Sequence, residues 1–202
     1  MGRMKKSNIL LTCGLAFFGA AFAVGLGVAI NSENNQVYEE VHADPDPISY
    51  ISRSYVNGAV VSTENTCSSY TVFNGQDFLS AGWYVVNSDK SGANNLTHVD
   101  GDVNLIICDG CTLTINYGMA VYNTLNIYSQ SLGTGTLNVS YNWGSEYAAL
   151  RVQNGKTLNI HGGIINANGS TYGAAIGGDG NTSTSGDLNA SPCGTINTFR
   201  SS

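Results

Sequence analysis

The groups best placed to do chemistry in this 202-residue chain are its cysteines, the aspartates beside glycine, and a run of tyrosines. Cys108-Asp109-Gly110-Cys111 has the spacing of half a zinc site, where two thiolates from one turn hold one side of the ion. No second pair of similar spacing follows, so the motif is not read as a metal centre. Cys67, Cys108 and Cys111 read instead as disulfide partners in an oxidising compartment or as small buried side chains at a corner. With Cys193 they make four of the chain's five cysteines, the fifth, Cys13, lying in the N-terminal apolar run, and four allow three conceivable pairings.

The acids invite a similar comparison. Asp100, Asp102, Asp109, Asp179 and Asp187 each stand beside or near a glycine. Paired carboxylates would bind calcium or cleave a glycosidic bond, whereas an aspartate flanked by glycine is ordinary turn chemistry. "GGDGNT" begins like a calcium-binding nonapeptide, but Thr182 stands where its aspartate belongs and no second copy follows. Calcium is therefore unsupported, no other cofactor is implied, and no catalytic residue is assigned. The histidines add little: His42 falls in a polar linker, His98 near a turn, and His161 on the solvent side of a strand.

Aromatics are more suggestive. Tyr117, Tyr122, Tyr128, Tyr141, Trp143, Tyr147 and Tyr172 fall within 56 residues. Tyr122, Tyr128, Trp143 and Tyr147 form the candidate ligand-binding set, because exposed rings on a rigid face stack on sugars or anchor a protein at low entropic cost. The competing reading is that tyrosines shield corners from water.

What must position these side chains is a repeated phrase. Thr112-Leu113-Thr114-Ile115 recurs as Thr124-Leu125-Asn126-Ile127, Thr136-Leu137-Asn138-Val139, Thr157-Leu158-Asn159-Ile160 and Thr195-Ile196-Asn197-Thr198. In a strand, side chains alternate between faces, so Leu and Ile or Val share one side while Thr and Asn share the other. Burying each Leu or Ile is worth roughly 1.5–3 kcal/mol, while ordering each residue costs about 1–2 kcal/mol. A four-residue strand cannot hold itself, so the copies must stack. Hairpin signals such as Asn-Gly are mostly missing between them, and a coil of about 20 residues fits the spacing, each strand lying parallel to its equivalent one turn on. Outward Asn and Thr would hydrogen-bond along the stack as ladders, and glycines would serve the corners.

The expected fold is therefore all-β, a parallel β-helix or solenoid. Its turns occupy 103–202, with "VNLII", "MAVYN", "ALRVQ", "GIINAN" and "GAAIGG" as further strand segments. Residues 44–102 lack a period and are expected to supply an N-terminal cap and the first strands. The end of the chain, "GTINTFRSS", follows directly on a strand phrase, so an open or truncated C-terminal end that makes end-to-end contact is expected there.

Residues 1–43 read as a signal peptide and polar linker. Three positive charges in "MGRMKKSN" precede 22 uncharged residues, Ile9–Ile30, with cleavage favoured after Ala43 over Ala23. The rival is an uncleaved membrane anchor, since 22 uncharged residues could span a bilayer. Arg3, Lys5 and Lys6 balance Glu33, Glu39 and Glu40, so the remainder keeps a net charge of −6. Its basic residues are scattered singly, which argues against a nucleic-acid partner.

"LSAGWYVVN", "GDVNLIICDGCTLTI", "TLNIYSQSLGTGTLNV" and "GAAIGGDG" followed by "GTIN" resemble repeats of large secreted right-handed β-helix proteins of bacteria, surface or adhesin-like and in some cases carbohydrate-binding. The resemblance covers about 70–199 and implies right-handed winding, a secreted or cell-surface address, and polysaccharide or surface glycan as partner. It carries architecture more than activity. The expected function is non-catalytic adhesion or carbohydrate binding. The alternatives are a polysaccharide lyase or glycoside hydrolase, which this fold often hosts, and a structural spacer or fragment of a longer surface protein.

Overall fold

The computed structural model of the chain describes residues 24–31, 36–43, 46–92, 94–143, 146–179 and 193–199. Two compact units divide at Asp44. In the first, β1 (Val24–Asn31) and β2 (Gln36–Ala43) pair antiparallel. The basic start and much of the apolar run of the expected signal peptide, with Cys13, lie outside the described residues, as do Asp187 and Thr182. Among the described residues no helix is long and apolar enough to cross a membrane.

The second unit opens with a hairpin, β3 (Ile48–Val56) and β4 (Ala59–Cys67). Its turn is Asn57-Gly58, with φ of 51° and 87°, the two positive angles of a type I′ turn. Short strands follow: β5 (Thr71–Val72), β6 (Phe78–Leu79), β7 (Gly82–Val86), β8 (Lys90–Ser91), β9 (Thr97–Val99), β10 (Val103–Ile107), β11 (Thr112–Ile115) and β12 (Met119–Val121). The rest are β13 (Thr124–Ser129), β14 (Thr136–Ser140), β15 (Leu150–Val152), β16 (Thr157–Ile160), β17 (Ile164–Asn168), β18 (Ile176–Gly177) and β19 (Thr195–Thr198).

These strands sort into three sheets. The first runs β5-β7-β10-β13-β16-β19, the second β8-β11-β14-β17, and the third β6-β9-β12-β15-β18. Pairing along each of these paths is parallel throughout, and β3, with β4, joins the first sheet antiparallel at β13. From β7 onward the chain visits the first, second and third sheets in rotation, so every circuit adds one strand to each. The protein is thus all-β with parallel sheets, an arrangement compatible with a β-solenoid. The stack includes residues 71–99, within the segment expected to supply the cap and first strands.

Register follows the repeated phrase. Leu125 faces Val103 on one side and Leu158 on the other, and Leu158 faces Ile196. Leu113, Ile115, Leu125, Ile127, Leu137, Val139 and Leu158 are all buried in one interior cluster, as the alternation requires. Their polar neighbours make the expected ladders. Asn126 Nδ2 donates to Asn104 Oδ1 at 2.9 Å, Asn159 to Asn126 at 2.7 Å, and Asn197 to Asn159 at 2.8 Å. In the second sheet Asn166 donates to Asn138 at 2.8 Å. Asn126 and Asn159 each donate to the preceding coil and accept from the next, which satisfies these outer positions without charge.

Two corners show why glycine is needed. Gly118 has φ +78°, and a Cβ there would sit 2.7 Å from the Tyr141 ring. A Cβ on Gly135 would run into the Ile107 carbonyl of the preceding coil.

Candidate functional site

Two of the acids singled out in the sequence, Asp109 and Asp179, are corner staples, and Asp89 is a third. Asp109 accepts from the backbone N–H groups of Leu132 (2.9 Å) and Thr134 (3.0 Å), one coil on. Asp89 accepts from Thr112 N–H at 2.8 Å, and Asp179 from Ala148 N–H at 3.1 Å. Asp179 Oδ1 also lies 2.8 Å from Arg151 Nε, balancing a guanidinium that is otherwise buried. These carboxylates are committed to holding coils together. Among the described residues, no three His, Cys, Asp or Glu side chains come close enough to hold a metal ion.

Cys67, Cys108, Cys111 and Cys193 carry free thiols. Cys67 and Cys108 are buried with Val85 and Ile106 in a second apolar cluster, and Cys111 packs against it. Burial pushes the Cys108 thiol up to about 11, with Cys111 and Asp109 adding to the effect, so it is neutral and unreactive near pH 7.

The second apolar cluster lies on the outer side of the first sheet, where alternation would put polar residues. The β3–β4 hairpin covers it. Ile48 and Tyr50 pack against it, and Tyr50 meets the rings of Trp83 and Tyr128 at 4.8 Å each. Further along, Ile51 pairs antiparallel with Ser129 of β13. Arg53 N–H donates to His161 Nδ1 at 3.0 Å, and the Arg53 guanidinium donates to the His161 carbonyl. His161, expected at the solvent side of its strand, does point outward but is half-buried between Tyr128 (4.5 Å, 9°) and Phe199 (5.0 Å, 11°). Burial, reinforced by the Arg53 charge and opposed by the hydrogen bond to Arg53, lowers its pKa below 6.5.

The four aromatic candidates do not share one face. Tyr128 belongs to the covered column just described, and burial raises its phenol to about 12. Tyr122 follows β12 in the third sheet and continues a separate stack, with His98 5.4 Å away and Phe78 a further 4.7 Å beyond. Trp143 and Tyr147 lie between β14 and β15. Trp143 is 67% exposed, and its ring stands 6.3 Å from Tyr117 at 44°.

Around Trp143 the structure forms a cleft of about 290 Å³, lined by Asn94, Asn95, Leu96, Tyr117, Tyr141 and Trp143. Tyr117 and Tyr141 follow equivalent strands, β11 and β14, and are bridged to each other. Tyr147 supports the wall from behind, edge-on to Tyr141 at 5.2 Å, with the Arg151 guanidinium 4.5 Å from its own ring centre. Asn95 is oriented by donating to Asp77 at 3.2 Å. Three aromatic rings beside carboxamides, with no cation among the lining residues, make a surface for a flat, partly apolar, hydroxylated ligand.

Of the cleft residues, only Trp143 belongs to the set expected from sequence to bind ligand. Tyr117 and Tyr141 were legible as partners, since they stand 24 residues apart, the same offset as Thr112 and Thr136. Asn94, Asn95 and Leu96 carry no such signal. No family model, no curated protein and no solved structure matches the chain.

Proposed function

We propose that this protein is an exported, non-catalytic right-handed parallel β-helix that binds carbohydrate at the cell surface. The observation that carries this reading is the cleft of Tyr117, Tyr141 and Trp143 bordered by Asn94 and Asn95. Aromatic faces stack on the C–H face of a sugar ring while carboxamides meet its hydroxyls, and the Tyr117–Tyr141 bridge and the Asn95–Asp77 hydrogen bond hold part of that surface beforehand. Export rests on the basic and apolar opening of the chain. The commitment of Asp89, Asp109 and Asp179 to backbone amides favours binding over glycosidic cleavage.

A glycan array probed with the purified chain tests the proposal. Binding to at least one saccharide class, lost at least tenfold in Trp143→Ala and unchanged in Tyr122→Ala, is the expected result. No saccharide bound, or binding indifferent to Trp143, would overturn it.

A further inference from the structure

The outer face of the second sheet carries a second feature. Thr114 on β11, Asn138 on β14 and Asn166 on β17 stand in register as one column. Two residues further along each strand, Asn116, Ser140 and Asn168 make a second column, Ser140 and Asn168 being paired partners. The two columns line a shallow groove of about 490 Å³, larger than the aromatic cleft. No charged residue lines it.

The groove and the cleft are lined by consecutive residues of the same two chain segments. Asn116 precedes Tyr117 and Ser140 precedes Tyr141, so the second column stands one residue, about 3.3 Å, from the aromatic pair. Within the first column, Asn138 Oδ1 is used by Asn166 Nδ2 at 2.8 Å. That bond leaves the Asn138 Nδ2 donor and the Asn166 Oδ1 acceptor with capacity for a ligand. Hydroxyls of Thr114 and Ser140 add groups that both donate and accept. These groups recur about 4.8 Å apart along the stack and just under 7 Å apart along each strand. The amide ladder and the strands hold them in place before any ligand arrives, which reduces the ordering cost of binding.

We infer that groove and cleft together form one elongated site for the interior of an uncharged polysaccharide chain, one sugar stacked at Trp143 and its neighbours laid across the Asn, Ser and Thr columns. This rests on the carbohydrate-binding reading above and names its ligand class. Uncharged chains are selected for two reasons. The groove has no Lys or Arg to pair a uronate or sulfate, and the protein's net charge of −6 repels polyanions. A ligand filling both parts must be longer than the unit held in the cleft alone.

The test is titration calorimetry with gluco-, manno- and xylo-oligosaccharide ladders of increasing length, alongside oligogalacturonides. Three proteins are compared: the unaltered chain, Trp143→Ala, and the double variant Asn116→Ala/Asn168→Ala. Both asparagine side chains are exposed and neither takes part in the ladders, so the double variant keeps the fold. Affinity of the unaltered chain for one neutral ladder should rise at least tenfold from the shortest to the longest member. The double variant should lose that gain while binding short members normally. Affinity that is flat with length, or a double variant indistinguishable from the unaltered chain, overturns the elongated site and leaves the cleft reading standing. Preference for oligogalacturonides overturns the selection for uncharged chains. Absence of binding to every ladder and every array saccharide overturns both readings together.

Discussion

Replacing His161 with phenylalanine should remove a pH dependence from this protein's stability while keeping its packing. The imidazole lies nearly flat between Tyr128 and Phe199, and a phenyl ring preserves that stack. What is lost is Nδ1, the acceptor for Arg53 N–H at 3.0 Å. Protonation of the imidazole disables that acceptor and sets a second cation beside the Arg53 guanidinium, though it allows Nδ1–H to donate to Arg53 O, 2.9 Å away. Tyr128, the other titratable group against the ring, stays neutral over this range. Because the folded pKa lies below the unfolded value of about 6.5, the contribution of His161 is fully present above pH 6.5 and is lost as pH falls towards the folded pKa. The slope for one proton is at most about 1.4 kcal/mol per pH unit, and partial exposure of the ring reduces it to under about 1 kcal/mol per unit. Urea unfolding at pH 7.5, 6.5 and 5.5 reads this directly. The unaltered chain should lose stability across that window through this group, within that limit. His161→Phe should have a shallower pH slope by the same amount, with His98 common to both proteins. Parallel slopes would refute the reasoning.

Two further perturbations test the stack itself. Leu125→Ala removes a fully buried side chain lying between Val103 and Leu158, and should cost about 2–5 kcal/mol in denaturant unfolding. Asp109→Ala removes the acceptor of the exposed Leu132 and Thr134 amides of the next coil, and should cost about 0.5–1.5 kcal/mol. Hydrogen exchange at those two amides should quicken while exchange in β3 stays unchanged.

The strands of the stack were legible because two periods coincide in them. Thr-Leu-Asn-Ile alternates within a strand and recurs about every coil, so Leu125 and Leu158 declare their burial and Asn126 and Asn159 their ladder. The hairpin was not legible, because its contacts have no period: Arg53 and His161 are 108 residues apart. A faint signal was available. Val85 and Ile106 are apolar at positions where the alternation calls for polar side chains, which betrays a covered outer face. The aromatic cleft was half visible for a similar reason. Trp143, Tyr117 and Tyr141 stood out by type and offset, whereas Asn94, Asn95 and Leu96 reach it only because the preceding coil brings them beneath Tyr117.

The placement of the hairpin also changes how the molecule should come apart. In a coil whose repeats touch only adjacent repeats, unfolding can begin at one end and peel inward, one rung at a time. Here a single early segment grips rungs from Trp83 to His161. Fraying at β16 must first tear Arg53 from its hold, and that loss would bare Tyr50, Trp83 and Tyr128 to water. The rungs between are thereby yoked into one cooperative unit, and a chain built as a series is made to behave as a block.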